Sequence, residues 1–425
     1  MVKVITYGTY DVLHYGHIRL LERAKALGDY LIVGITSDDY DKTRGKINNQ
    51  QSLMERIAAV EATGIADEII VEEYEGQKID DIKRFGIDIF TVGSDWVGYF
   101  DYLNEYCKVV YLPRTEGVSS TEIRSTQRKL RMGIVGDLSI AEKFKQECSF
   151  VNGIEIVEGF SSYDELDAVY VISRPEQHYK HVKEALLAGK HVLCQSPVGI
   201  SCEECMDLLA LADSKNLILM DGVKTAYSTA FSRLVLLVKS GKIGDVVSID
   251  ATCTSLMAGG ADPAEIQQSK INSICAWGPT AMLPIFQLLG TDYRDKKIVS
   301  KILDKERSYD GFSKIDFVYR KAVASVKVAK TAKSEGELVI TGTKGYVYVP
   351  APWWKTDYFE VRFENPNDNK RYFYQLDGEG IRYEIIAFVN AINRGHSTSN
   401  VERTVTRAIA SVIGDFYSGD YIEIN

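Results

Sequence analysis

The chain has no apolar run long enough to cross a bilayer, which argues against a helical membrane protein. It has no excess of positive charge either. Lys and Arg number 50 against 59 Asp and Glu, a formal net charge of −9. That balance argues against a general nucleic-acid surface but leaves room for a local basic pocket. The seven cysteines, at 107, 148, 194, 202, 205, 253 and 275, are odd in number and scattered. A secreted disulfide framework would look different. Polar residues from Thr6 to Asp11 follow the first apolar run at once, so no secretory signal is expected. Repeats and low-complexity tracts are missing too. Together these absences lead to the expectation of a soluble cytoplasmic protein whose partners include neither membrane nor nucleic acid.

What is present calls for more than one core. A chain of 425 residues, 45% hydrophobic and 26% charged, is globular and too long for a single ordinary domain. Residues 2–6 read as a buried strand, and Ile18, Leu20, Leu21 and Ala24 mark the inner face of a helix over 17–27. Strands at 30–35, 68–71, 87–92 and 108–111 alternate with helices at 52–63 and 78–85, the pattern of a parallel sheet. SSTE (119–122) opens another helix with a capping-box pattern. A second alternating series starts at MGIVG (132–136), with a short spacing between Glu158 and Tyr163 where a helix is expected to be missing. From Asp245 the texture turns β-rich, in VVSIDATCT, FVYRKAVASVKVAK and GELVITGTKGYVYV, and a helix over 381–393 closes it. The expected architecture is α/β: an N-terminal Rossmann-like domain (1–130), a second Rossmann-like domain (131–240) and a C-terminal α+β open-sheet domain (241–425).

Histidine is scarce, six in all, yet two of them fall together in YGTYDVLHYGH (7–17). Alone, His14 and His17 read equally well as two half-exposed residues at a helix start. Their place at a strand–loop–helix junction, flanking Gly16, favours anions instead. Free N–H groups and the helix dipole attract negative charge there, and imidazoles can donate to a phosphoryl oxygen. A metal is the weaker reading, because no third ligand stands at useful spacing.

GTYDVLHYGHIRLLERAK (8–25) and YLPRTEGVSSTEI (111–123) resemble the two signature motifs of the cytidylyltransferases. The likeness covers residues 1–130 and is closest to the members that activate glycerol 3-phosphate for teichoic-acid synthesis. It implies that CTP and a polyol phosphate, above all glycerol phosphate, give a CDP-polyol and pyrophosphate for a bacterial capsule or teichoic-type polymer. It also implies Mg²⁺ carried on the CTP phosphates and a homo-oligomer, dimer or tetramer. By the same resemblance His14 and His17 stabilise the five-coordinate α-phosphorus and the departing pyrophosphate. Lys46 bridges the attacking phosphate and the α-phosphate. Arg114 and Thr115, with Ser119, Ser120 and Thr121, hold the outer phosphates. Thr9, Tyr10, Asp95 and Trp96 receive the nucleotide, and Asp11, Asp38 and Arg56 line the acceptor side. The chemistry is self-consistent: an ionised phosphate needs no strong base, so catalysis reduces to positioning two anions and neutralising charge. One departure bears on the acceptor. EATGIADEI (61–69) offers Gly64 in a segment where the family pattern has an arginine.

Residues 131–425 resemble the glucose–fructose oxidoreductase and inositol dehydrogenase family. The carrying stretches are RMGIVG, DAVYVISRPEQHYKHVKEALLAGKHVLCQSP (167–197), SGKIGDVVSIDATCT (240–254) and GELVITGTKGYVYVPAPWW (336–354). Three functional positions depart from that family. GIVGDLSIA (133–141) puts Asp137 and Leu138 where the dinucleotide turn has glycine. Gln195-Ser196-Pro197 stands for Glu-Lys-Pro, and the run from Ala276 to Thr280 stands for Asp-x-Gly-x-His. Glu158 lies where a ribose-binding acid is expected, and Lys224 is a candidate substitute lysine. His178 and His181 read as packing or capping residues, and Cys202 and Cys205 as one helix face. The expectation is a domain that keeps the fold without NAD(P) binding or reductase activity. One alternative is a bifunctional enzyme that makes the polyol phosphate with NAD(P)H and then activates it. Another is a scaffold with both sites retired, against which the retained His14, His17, Lys46 and RTEGVSST segment speak.

Overall fold

A computed structural model describes all residues except 39–50, 75, 114–128, 138–140, 152, 257–270, 375, 397–398 and 425. The chain divides into two compact units, Met1–Arg128 and Lys129–Asn425. No helix among the described residues is long and apolar enough to cross a membrane.

In the first unit β1 (Lys3–Gly8), β2 (Tyr30–Thr36), β3 (Glu68–Glu72), β4 (Ile89–Gly93) and β5 (Lys108–Leu112) form one parallel sheet. The spatial order is β3-β2-β1-β4-β5. A parallel sheet is covered on both faces, so its central strands must be apolar throughout. Val4, Ile5, Leu31, Ile32, Val33 and Ile35 are accordingly sealed from solvent. Leu21 and Ala24 of α1 (Tyr15–Lys25) and Val60 of α2 (Leu53–Glu61) pack with Val4, Leu31 and Val33 on one face. Ile82 of α3 (Gln77–Phe85) packs with Ile5, Ile32 and Phe90 on the other. The strand order reverses between β1 and β4. Loops leaving the carboxyl ends of those two strands therefore part, and a crevice opens between them.

The second unit begins with the same device. β6 (Leu130–Gly136), β7 (Ile154–Ile156), β8 (Ala168–Ile172), β9 (His191–Gln195) and β10 (Leu219–Gly222) are parallel, in the order β10-β9-β8-β6-β7. Their reversal falls between β6 and β8. The helices are α4 (Glu142–Cys148), α5 (Pro175–Leu187) and α6 (Cys202–Ser214). The link from β7 to β8 carries a single turn, Tyr163–Glu165, in place of a helix, as its short spacing predicts. After α7 (Thr229–Lys239) comes a nine-stranded sheet, mostly antiparallel. It is mixed at its centre, where Val246–Thr254 runs parallel to Val323–Ala329 and antiparallel to Leu338–Gly342. The apolar helix α8 (Ser273–Leu289) packs on this sheet, and α9 (Ile381–Arg394) and α10 (Arg403–Tyr417) complete the unit.

Candidate functional site

Strand β1 delivers its loop into the first crevice. A Cβ at Gly8 would lie 2.9 Å from the Tyr10 ring, so glycine there lets Tyr10 fold back under the strand end. Tyr10 and Val12 both take positive φ, 52° and 47°. Side-chain-bearing residues hold such angles only when the surroundings enforce them, at a cost of about 1–3 kcal/mol each. Gln51 and Arg56 do the enforcing. The Gln51 N–H donates to Asp11 Oδ1 at 3.0 Å, and Gln51 Oε1 accepts from the Val12 N–H at 2.8 Å. Arg56 of α2, wholly buried, donates to the carbonyls of Thr9 (2.7 Å) and Thr36 (2.8 Å) and pairs with Asp38. Helix α2 is itself anchored by a capping box between Ser52 and Glu55. Thus Asp11 and Arg56 clasp the loop from behind, and Asp38 is the more open of the three, 43% exposed. Gln51 carries no sequence signal for this task, since its partners are brought to it by the fold.

The loop ends at His14, the N-cap of α1. Its Nδ1 accepts from the Gly16 N–H at 3.1 Å, which leaves the proton of the neutral ring on Nε2. His17, one turn on, stacks on His14 with ring centroids 3.9 Å apart and 22° between planes. Tyr10 meets the other side of His17 edge-on at 5.5 Å. A helix N-terminus and two imidazoles thus stand together at the carboxyl end of β1. From the neighbouring β4 the chain enters the turn Ser94–Trp96, where Asp95 is exposed and Trp96 half-buried against Tyr99 and Phe100. The described site residues therefore leave two adjacent strands at the switch point. Lys46, Arg114, Thr115, Ser119, Ser120 and Thr121 lie outside the described residues.

The second unit places a cavity at its own switch point. Gly136 ends β6 with φ 125°, and a Cβ there would lie 2.5 Å from the Ile172 carbonyl. The Asp137 N–H donates to that carbonyl at 3.0 Å. A cavity of about 290 Å³ opens beside this crossing, lined by Gly136, Asp137, Ile172, Ser173, Arg174 and Gln177. Helix α5 starts at the cavity with Arg174 as its N-cap, so a cation and a helix N-terminus face it together. Glu158 is exposed and pairs with Lys145 at 2.9 Å. His178 is buried against the carbonyls of Pro197 and Ser173, a packing role. At the ends of β9 and β10 lie buried polar atoms without a hydrogen-bond partner among the described residues: Ser196 Oγ, both Asp221 carboxylate oxygens and Glu384 Oε1. Burial pushes the Asp221 carboxyl up to about 6. Burial likewise pushes Glu384 up to about 8, against the pull of Lys224.

Comparison with known proteins follows this division. The cytidylyltransferase-like family model matches residues 5–126. The model for the oxidoreductase family, NAD-binding Rossmann fold, matches residues 123–223. The chain is 49% identical over 130 residues to glycerol-3-phosphate cytidylyltransferase of Bacillus spizizenii, covering 31% of this chain and 100% of that one. It is 51% identical over 124 residues to the Bacillus subtilis enzyme of the same name, covering 29% and 95%. Trans-1,2-dihydrobenzene-1,2-diol dehydrogenase of Sus scrofa is 24% identical over 291 residues, 66% of this chain and 84% of that one. Among solved structures, KijD10, a 3-ketoreductase from Actinomadura kijaniata, superposes with a TM-score of 0.60 at 18% identity. That match covers 70% of this chain and 100% of KijD10, whose structure holds NADP and TDP-benzene.

These matches correct one expectation. A second unit without NAD(P) is overturned by the NAD-binding family match across residues 123–223. The physical reason is visible at Gly136. Of the two residues that read in the sequence as an obstruction, Leu138 lies outside the described residues, and the close crossing with β8 falls on Gly136, which is glycine.

Proposed function

The chain belongs to the cytidylyltransferase family through its first 130 residues and carries an oxidoreductase-family Rossmann domain behind them, and from that premise we propose that it makes CDP-glycerol from CTP and a glycerol phosphate. The observation that carries this reading is the stacked His14–His17 pair at the N-terminus of α1, at the β1/β4 switch point. An oxygen of the acceptor phosphate attacks the α-phosphorus of CTP. The bond from that phosphorus to the bridging oxygen breaks, and pyrophosphate leaves. Negative charge gathers on the five-coordinate phosphorus and the departing oxygen, where the His14 Nε2–H and the helix terminus stabilise it. Lys46 and Arg114, with Thr115, Ser119, Ser120 and Thr121, complete the charge complement in this proposal. Magnesium enters with the nucleotide, on its phosphate oxygens. The product would feed a capsule or teichoic-type polymer.

Pyrophosphate release across glycerol 3-phosphate, glycerol 2-phosphate, ribitol phosphate and erythritol phosphate tests the assignment. The fastest release is expected with a glycerol phosphate. Silence with the whole panel would sink it.

A second reading concerns the Lys129–Asn425 unit, and the cavity at the β6/β8 switch point favours it. There Gly136, Arg174 and the N-terminus of α5 would hold a nicotinamide dinucleotide, which would supply the hydride for reduction of a carbonyl group, with a proton taken up at the carbonyl oxygen, to the alcohol of a polyol phosphate. One chain would then make its own acceptor and activate it.

A further inference from the structure

Three lysines of the second unit converge on one carboxylate. Lys143 of α4 reaches Glu379 at 2.5 Å, Lys355 of the turn Trp353–Lys355 at 2.9 Å, and Lys224 of the turn Lys224–Tyr227 at 3.0 Å. Burial acts to raise the Glu379 carboxyl, but hydrogen bonds from Lys143, Lys355 and Lys224 outweigh it and hold the group down to about 2. Three cations against one anion leave two positive charges over. Around them Glu147 pairs with Arg382 and Glu384 holds its proton at neutral pH, while Glu142 and Glu158 share the one Lys145 and Asp221, at about 6, is ionised, so the local surplus is smaller than two. The lysines stay reachable, at 45%, 32% and 39% exposure.

The carboxylate is brought there by an unusual loop. Glu379 takes φ 55° between Gly378 and Gly380, both also positive. A Cβ at Gly380 would lie 2.6 Å from the Lys224 carbonyl, so the loop is wedged against the same turn that supplies a lysine. Behind Lys224 lie Ser196, Asp221 and Glu384, buried polar groups with atoms that no described residue satisfies. A cationic cluster and a set of unsatisfied hydrogen-bonding groups thus sit together beside the ends of β9 and β10, at the ligand edge of the sheet.

We propose that Lys143, Lys224 and Lys355 form the anion subsite of this unit, taking the phosphoryl group of a phosphorylated carbonyl compound, with Glu379 as the carboxylate that yields. This rests on the reductase reading of the same unit. It also gives the two units a common currency, since reduction of such a compound supplies the kind of phosphorylated polyol that a cytidylyltransferase consumes.

The test uses the full chain and inorganic phosphate as probe. Acetylation of lysines by an amine-reactive ester is quantified by mass spectrometry, with exposed Lys180 as reference. Millimolar phosphate should protect Lys143, Lys224 and Lys355 severalfold and leave Lys180 unchanged, while chloride at equal ionic strength should not. Glu379→Gln, which removes the competing charge, should lower the phosphate needed about tenfold. In the double variant Lys143→Ala, Lys355→Ala, protection of Lys224 should vanish. Unprotected lysines, or equal protection by chloride, overturn the subsite. NADPH oxidation with dihydroxyacetone phosphate against dihydroxyacetone separates the two layers. Preference for the phosphate ester supports the subsite. Equal rates with both compounds count against it even if the unit is a reductase. Protection by phosphate without oxidation of either compound keeps the anion site and removes the reductase reading.

Discussion

One ring of His14 does two tasks. Its Nδ1 caps α1 by accepting from the Gly16 N–H, and that bond directs the remaining proton to Nε2. His14→Ala should therefore cost both about 1 kcal/mol of cap and a factor of about 10² or more in turnover. His14→Asn can still cap, so it should recover stability without recovering turnover. His17→Ala should lose turnover with little loss of stability. Thermal melting beside pyrophosphate-release kinetics separates the two effects, and near-normal turnover in either alanine variant would remove the pair from the mechanism. Both histidines were legible in the sequence because their spacing and position sit in one short segment. Arg56 was read, through the family resemblance, as lining the acceptor side, but its part in clasping the loop was not legible. Its partners, the carbonyls of Thr9 and Thr36, stand at the ends of two different strands and converge only after the sheet has formed. Glu384 was not legible at all, since nothing local marks a helical glutamate as one that the fold buries.

That glutamate matters at the level of the element that carries it. Helix α9 begins just after the Asp377–Gly380 turn and buries Glu384 in its first turn. Folding lifts the carboxyl from its ordinary 4.5 to about 8. Between those values the folded chain keeps a proton that the unfolded chain has released, so stability falls as pH rises through the window and levels off above it. A tenfold change in proton affinity corresponds to about 1.4 kcal/mol, so the effect is large enough to measure. Asp221, at about 6, adds a slope of the same sign at its lower end. Glu384→Gln should flatten the pH dependence of the second unit's melting and be the more stable form near pH 9. Parallel curves for the two proteins would mean that Glu384 does not carry this proton. Elements with strong local patterns were readable in the same way: β8 is an unbroken apolar run, and β1 and β2 are apolar over most of their length. Pairing between distant segments was not, so the parallel match of Val246–Thr254 with Val323–Ala329 inside a mostly antiparallel sheet emerges only from the structure. The turn after β6 misled for a related reason. Counting the fingerprint's glycines put the weight on Asp137 and Leu138, whereas the strand-to-strand crossing falls on Gly136.

At the scale of the whole molecule, one chain repeats one physical solution twice. Each unit has a five-stranded parallel sheet whose order reverses once, and each reversal places candidate ligand-binding groups at the carboxyl ends of the strands. In the first unit those groups are histidines at a helix N-terminus, suited to charge that develops on phosphorus. In the second they are a glycine-lined cavity and, beside β9 and β10, the lysine trio. Joining the two in one polypeptide fixes their ratio, which suits a pathway in which one site's product is the other's substrate. The central claim is that the chain carries two separate nucleotide sites, one for CTP and one for a nicotinamide dinucleotide. Calorimetric titration of the full chain with CTP, with NADH and NADPH, and with CTP after saturation by the dinucleotide tests it most directly. The expected result is saturation by each class of ligand at one equivalent per chain, with the stoichiometry for CTP unchanged when the dinucleotide is already bound. Absence of dinucleotide binding, or displacement of the dinucleotide by CTP, would contradict it.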